Sequence, residues 1–473
     1  MVCQTPFVPA PDPEPTPAEL PEGVVLDIDG ATIVSPTLLA GGVPWRLLRL
    51  SDDARETVAR WRAGARLAAP DQRLARLLVD RGLARARFAP NWNLECIDVV
   101  VPVRDDADAL DGLLTALAGF SVTVVDDGSS DGAAIARCAA DHGAHLVRLE
   151  ENRGPAGARN AGARATSRPW IWFVDVDLDL EDALALGARL LASGGDPRIG
   201  AVAPRVRGAR GDGARARFER VHGPLDLGPT SGLVAPRTAR AYVPSACLLV
   251  RRAALGDGFD ETLRVGEDVD LVWRLGDAGW LVRYDADLVV GHRPRTTWRA
   301  WWSQRVGYGT SAAALARRHG TRLAPVVLEE ATMPVLGGLV TGSLGLATAG
   351  AASLARRIDR QLPADLVGRR AFAARLWARA IGGTVGGVAR GLVRTYAPVL
   401  VAATLVPRLR RRVALLVAVG TLWRWRGRGR IDARDVPLAL ADDAAYGAGV
   451  WLGAWHERDR TALTPDLRAS ARP

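Results

Sequence analysis

Between residues 96 and 295, short apolar runs alternate with longer stretches whose apolar residues recur at helical spacing. The runs are "CIDVVVPV", "SVTVVDDGSS", "HLVRL", "WIWFVDVD", "IGAVAPRV" and "CLLVRR". Strand alternating with helix predicts an α/β domain built on a mainly parallel sheet. Ligands of such sheets sit beyond the carboxyl ends of the strands, and the polar clusters of this region fall there. Residues 21–90 follow another rhythm. Strand-like "GVVLDIDGATIVS" precedes "SDDARETVARW", with Ser51 as N-cap. In "APDQRLARLLVDRGLA", Leu74, Leu77 and Leu78 share a stripe that stops at Gly82, and "LARARFAP" closes as a strand. A small α+β domain is expected here, joined by "RFAPNWNLE" to an α/β domain over 96–320.

Beyond it the pattern is helical and apolar. Residues 296–320, "TTWRAWWSQRVGYGTSAAALARRHG", are amphipathic, aromatic and basic. From Ala331 to Leu354 no charged residue occurs, and 24 residues suffice to span a bilayer. "YAPVLVAATLVP" and "VALLVAVGTLW" flank arginines at 408 and 410–412, and Gly337, Gly338, Gly342 and Gly345 suit close helix packing. Residues 321–473 are therefore expected to form a helical region that is membrane-associated or transmembrane, with a buried Ala/Gly-rich bundle as the bland alternative. This places the chain at the cytoplasmic face of the cell membrane.

Composition changes this picture little. The formal charge is +10, but every basic residue is Arg, which points to codon bias rather than a nucleic-acid surface, and no nucleic-acid partner is expected. Cys3, Cys96, Cys138 and Cys247 lack paired spacing and read as free thiols of a reduced compartment. Residues 1–20 are Pro-rich and acidic, without the basic start or apolar core of a signal peptide, and read as a disordered lead-in.

The strand ends carry the chemistry. In order they present Asp105, Asp126 with Asp127, Asp175 with Asp177, Glu267 with Asp268, and His292. In "WIWFVDVDLDL", Asp175, Asp177 and Asp179 would share one face if the strand continued. Three like charges need either solvent or a cation among them.

Together, "VVVPVRDD", "VVDDGSSDG", "ENRGPAGARNAG", "FVDVD", "VPSACLLVRR" and "GFDETLRVGEDVDLVWRLGDAGW" resemble the ordered motifs of inverting family-2 glycosyltransferases with the GT-A, Rossmann-like fold, over residues 96–310. Hard cations take carboxylates and substrate phosphates, so the resemblance implies Mg²⁺ or Mn²⁺ on Asp177, with His292, 24 residues after Asp268, as a further ligand. It implies a nucleotide-sugar donor, UDP-glucose foremost, contacted by Pro102, Arg104, Asp126, Asp127, Arg159 and Asp175. Asp268, at a helix start, is the implied base that deprotonates the acceptor hydroxyl. The QxxRW motif of processive synthases is absent, since Gln304 and Arg305 are adjacent.

Residues 21–90 resemble winged-helix-like domains that bind precursor peptides. The whole arrangement is similar to the glycosyltransferases of mycofactocin systems, which add β-linked glucose to a peptide-derived redox cofactor precursor. Trp298, Trp301 and Trp302 are candidate stacking residues for that acceptor or a membrane-interface belt. The alternatives are a membrane enzyme acting on a lipid or cell-wall glycan, and a non-catalytic peptide- and membrane-binding scaffold.

Overall fold

The computed structural model describes residues 19–28, 33–35, 37–209, 211–293, 295, 297–364, 366–426 and 432–468. The lead-in expected over 1–20 lies outside them except for Glu19 and Leu20, and Leu20 is already core: its backbone exchanges hydrogen bonds with the Gln72 amide at 3.1 and 2.7 Å.

The N-terminal elements are β1 (Val25–Ile28), β2 (Ile33–Ser35), β3 (Leu38–Gly41), β4 (Arg46–Arg49), α1 (Asp52–Arg62), α2 (Gln72–Asp80) and β5 (Ala84–Arg87). β1 pairs antiparallel with β5, and β2, β3 and β4 form a second, antiparallel sheet. Ser51 caps α1, its Oγ accepting from the Ala54 N–H at 3.3 Å. Trp61, Leu78, Val79 and Leu83 are buried between the helices and β1–β5. The linker suggests a tethered module, but the unit is packed on both sides. Leu38 and Ala40 of β3 bury against helices of the C-terminal region. On the other side Arg76 makes a bidentate pair with Asp196 at 2.9 and 2.7 Å, and Arg85 reaches Asp285 at 2.7 Å.

The central elements are β6 (Ile97–Val103), α3 (Ala107–Ala116), β7 (Ser121–Asp127), α4 (Gly132–Asp141), β8 (His145–Leu149), α5 (Gly154–Arg164), β9 (Trp170–Val174), β10 (Leu178–Asp179), α6 (Ala183–Ser193), β11 (Ile199–Gly208), α7 (Gly213–His222), β12 (Gly232–Leu233), β13 (Cys247–Arg251), α8 (Arg252–Leu255), α9 (Glu267–Asp277) and β14 (Leu281–His292). All six apolar runs are strands of one sheet, ordered β10-β14-β11-β13-β9-β6-β7-β8, with β12 beside β14. The sheet is mixed. β8, β7, β6 and β9 run parallel, as do β11 and β14, but β13 enters antiparallel between β9 and β11. Being reversed, β13 brings its start, at Cys247, beside the end of β9 at Val174. Residues just before β13 therefore reach the same edge as the carboxyl ends.

The C-terminal elements are α10 (Trp298–His319), β15 (Val327–Glu329), α11 (Met333–Thr341), α12 (Leu344–Gln361), α13 (Arg369–Arg394), α14 (Ala397–Thr404), α15 (Arg410–Trp425), α16 (Val436–His456) and β16 (Asp466–Arg468). α10 packs along α16 so closely that a Cβ on Gly449 would lie 2.0 Å from the Val306 carbonyl oxygen. The uncharged run 331–354 is not one span. It breaks at Gly342, whose φ of +77° suits glycine, and Ser343 caps α12 by accepting from the Leu346 N–H. Gly338 then fits against Ala347, folding α11 back on α12. Among the described residues no helix is long and apolar enough to cross a membrane.

Asp196 is 1 % exposed and is held by Arg76, itself 7 % exposed. Arg76→Met leaves that carboxylate buried without its guanidinium, at an expected loss of about 3–5 kcal/mol. The first transition in thermal unfolding should move down accordingly. An unchanged melting curve would show that the pair does not hold the N-terminal unit in place.

Candidate active site

β9 is buried along its whole length, and Trp172 and Phe173 are inaccessible. Pairing with the β13 side runs one residue past Val174, the Asp175 N–H donating to the Ala246 carbonyl at 2.8 Å, and the chain then turns, the Leu178 N–H donating to the Asp175 carbonyl at 3.2 Å. The strand does not continue through the aspartates, so the condition for a shared face of Asp175, Asp177 and Asp179 is not met. Asp175 and Asp177 are half-buried on the turn, while Asp179 is exposed on β10.

A cation does meet the first of these carboxylates, and it belongs to the protein. Arg159, on the Ala/Gly-rich α5, is 4 % exposed. Its Nη2 donates to Asp175 Oδ1 at 2.6 Å and its Nη1 to Glu267 Oε1 at 2.9 Å. Burial pulls the guanidinium pKa down, but the charges of Asp175 and Glu267 raise it overall. Arg159 thus ties the end of β9 to the start of α9.

Asp177 faces His292, at the end of β14, with Oδ2 and Nε2 3.3 Å apart. Burial pushes Asp177 up, yet the His292 hydrogen bond and charge, with Arg295, hold it below the usual carboxylate range. His292 is the mirror case: burial lowers it, and the Asp177 hydrogen bond and charge raise it overall. Neighbouring ligands of an octahedral cation at about 2.1 Å lie roughly 3 Å apart. The carboxylate and imidazole pair fits that geometry, with room for substrate oxygens to complete the set.

α9 begins at Gly266, whose φ of +86° and close approach to Leu315 and Ser311 leave little room for a side chain. Asp268 is half-buried, and its Oδ1 accepts from the Val269 N–H at 2.7 Å. Burial first, then the neighbouring Glu267 charge, push its pKa up to about 7. Burial also raises Glu267, against the pull of Arg159.

The β6 and β7 ends are organised differently. Asp126 Oδ1 accepts from the Ser129 N–H at 2.8 Å and Oδ2 from Arg148 at 2.9 Å. Asp127 accepts from the N–H groups of Arg153 and Gly154 at 2.7 and 2.9 Å, placing its charge at the N-terminus of α5. Asp105, at φ +54°, takes the N–H and Oγ–H of Ser130. Pro102 is half-buried on β6, and Arg104 is exposed beside Asp105 at 3.4 Å.

Arg159, Asp175, Asp177, Glu267, Asp268 and His292 line one cavity of about 1000 Å³, whereas Pro102, Arg104, Asp126 and Asp127 do not. Its opposite wall comes from the C-terminal helices: Tyr308 of α10, Arg390 and Arg394 of α13, Trp423 of α15 and Tyr446 of α16. Sequence reasoning gave neither this wall nor the Arg159–Glu267 pair. A signal for the pair was present, because an Arg in the middle of a run of small residues that can bury on every side needs carboxylates nearby. Trp301 is corrected as a stacking candidate. It is 2 % exposed, with its indole N–H donating to Glu219 at 2.6 Å, while Trp298 and Trp302 remain exposed.

Residues 98–259 match the glycosyl transferase family 2. The pre-mycofactocin glycosyltransferase of Mycobacterium tuberculosis is 36% identical over 480 residues, covering 96% of this chain and 100% of the relative. A succinoglycan biosynthesis protein of Rhizobium meliloti is 35% identical over 37% of this chain and 55% of that protein. Among solved structures, a Pyrobaculum calidifontis mannosyltransferase in complex with GDP-Man and Mn²⁺ has a TM-score of 0.38 at 21% identity, covering 62% of this chain and 83% of that one. With its strand-end carboxylates, mixed sheet and end-to-end similarity, the chain belongs to the pre-mycofactocin glycosyltransferases of glycosyl transferase family 2, and it is a glycosyltransferase.

Proposed function

We propose that the chain transfers glucose from UDP-glucose to pre-mycofactocin, a peptide-derived redox cofactor precursor, with inversion at the anomeric carbon and a requirement for Mn²⁺ or Mg²⁺. The observation that carries this reading is Asp268. It is a carboxylate tuned to about 7, on the wall of the cavity that also holds the Asp177–His292 pair. That tuning suits a base that must be free at neutral pH yet strong enough to take a proton.

In this mechanism Asp268 accepts the proton of the acceptor hydroxyl as its oxygen attacks C1 on the face opposite the departing nucleoside diphosphate. The C1–O bond to the diphosphate breaks as the new glycosidic bond forms, which gives the β-linkage. Asp177 and His292 would hold the divalent cation, which when bound neutralises the leaving diphosphate. Arg159 fixes Asp175 against the donor side, and it also fixes Glu267, whose charge helps to raise Asp268. The acceptor would enter against the helical wall. There Arg394 stacks on Tyr446 at 3.6 Å, with its Nε lacking a hydrogen-bond partner among the described residues.

A base near 7 must lose its proton to act, so turnover should rise about tenfold per pH unit below 7 and level off above it. Asp268→Asn should flatten that profile and lower kcat by about 10²–10⁴ while leaving the UDP-glucose Kd unchanged. Loss of donor affinity with turnover retained would make Asp268 a binding residue.

Chelation should abolish both transfer and UDP-glucose hydrolysis. Asp177→Asn should do the same with metal present, and His292→Ala should weaken apparent cation affinity by about 10–100-fold or more. Full activity in chelator would rule out the metal.

For the acceptor wall, Arg394→Met should raise the KM for pre-mycofactocin by about tenfold, the worth of a charged hydrogen bond. Metal-dependent UDP-glucose hydrolysis should stay unchanged. A shift in the UDP-glucose KM instead would assign Arg394 to the donor.

A further inference from the structure

We propose that the turn joining α11 to α12 and the turn joining α14 to α15 form one basic, apolar platform that rests on the anionic surface of a phospholipid bilayer. The two turns are neighbours in space: Arg412 Nη1 donates to the Val340 carbonyl at 3.2 Å, and its Nη2 lies 3.5 Å from a Cβ position on Gly342. Between them they present Leu339, Val340 and Leu344 from one turn and Val401, Leu405 and Leu415 from the other, all exposed. Val340, Leu344 and Leu405 are 72%, 77% and 78% accessible.

These helices are not loosely packed. Val335 and Leu354 are buried on the inner side of the first pair, and Leu400 and Val413 on the inner side of the second. The outward aliphatic residues are thus a second face on elements whose first face is already satisfied. Exposed apolar residues gathered on two turns that meet at Arg412 mark an interaction surface.

Charge identifies the partner. Arg408, Arg410, Arg411 and Arg412 surround the patch, all but Arg408 on the first turn of α15. All four are exposed, and none meets a carboxylate among the described residues. Arg410 and Arg412 make their hydrogen bonds to the Thr404 and Val340 carbonyls. A protein-binding core favours aromatic residues, and the residues named here are all Leu and Val; aliphatic residues beside arginines that meet no carboxylate suit acyl chains beneath anionic headgroups. The helices are also too short to cross. α11 has nine residues, about 14 Å at 1.5 Å per residue against a core of roughly 30 Å. The platform therefore lies on the surface. α15, which carries its arginines, also places Trp423 on the cavity wall, so the active site would stand one helix from the lipid.

The test is vesicle flotation of the full chain, with phosphatidylcholine vesicles and with vesicles containing phosphatidylglycerol. Binding should require the anionic lipid and weaken with salt. Leu405→Asp and Val340→Asp should each lower partitioning about tenfold. Arg408→Gln and Arg411→Gln should each lower it about fivefold. UDP-glucose hydrolysis in solution should be unchanged in all four, which serves as the check on folding. Absence of wild-type flotation, equal flotation with both vesicle types, or partitioning insensitive to these substitutions would overturn the proposal. So would a concentration-dependent dimer that Leu405→Asp dissolves, since a second copy would then cover the face.

Discussion

The site depends on a buried guanidinium. Arg159 has almost no access to water, and its charge is tolerable only because Asp175 and Glu267 meet it at hydrogen-bond distance. Those two carboxylates come from segments 92 residues apart, the end of β9 and the start of α9. Fixing both on one planar group sets the position of each, and its charge opposes the burial that raises the Glu267 pKa. The Glu267 charge in turn adds to the burial that raises the Asp268 pKa. The proposed base is therefore tuned by an arginine it does not touch, and substitutions at Arg159 should act through geometry and pKa together.

The same device holds the C-terminal helices to the catalytic sheet. Arg305 of α10 is 2 % exposed and donates to Asp442 of α16 at 2.8 Å and to Glu219 of α7. Arg424 of α15 bridges Asp442 and Asp443 at 2.7 and 2.8 Å, and Arg390 of α13 also pairs with Asp443. Lysine would serve poorly here, because one ammonium cannot present a planar fork to two carboxylates on different helices. The all-arginine inventory, whatever its origin in codon usage, supplies the group that such a network needs.

The local rules of the sequence were legible where local physics decides the outcome. Ser51 caps its helix, the six apolar runs are strands, and Gly82 adopts the left-handed conformation expected after α2. Reading failed where a distant partner decides. "WIWFVDVDLDL" would read as one strand if it continued through its aspartates, but the Leu178 N–H closes a turn on the Asp175 carbonyl. Trp301 looks like a free aromatic in a basic amphipathic helix, yet Glu219, 82 residues away, buries it. The run 331–354 has the composition of a span. Its fate rests on Gly342 and on the Gly338–Ala347 contact, neither of which hydropathy weighs. The ion pairs that clip the N-terminal unit to the sheet join residues 120 and 200 positions apart and leave no local trace.

The division of the cavity suggests how one chemistry is directed to one acceptor. The carboxylates, the Asp177–His292 pair and Arg159 all project from the sheet and the elements at its edge, and residues 98–259 are the part that matches family 2 at large. The facing wall comes from α10, α13, α15 and α16, all beyond that match but within the 96% of the chain that aligns with the pre-mycofactocin enzyme. A wall bearing Tyr308, Trp423, Tyr446, Arg390 and Arg394 offers ring faces and guanidinium groups, which in the proposed reaction would select an acceptor without touching the bond that breaks. The network of Arg305, Arg390 and Arg424 then has a role besides stability. By fixing the helices to α7 at the sheet, it holds this wall in place across from Asp268, so that in the proposed reaction the packing of the fold would bring the acceptor hydroxyl to the base.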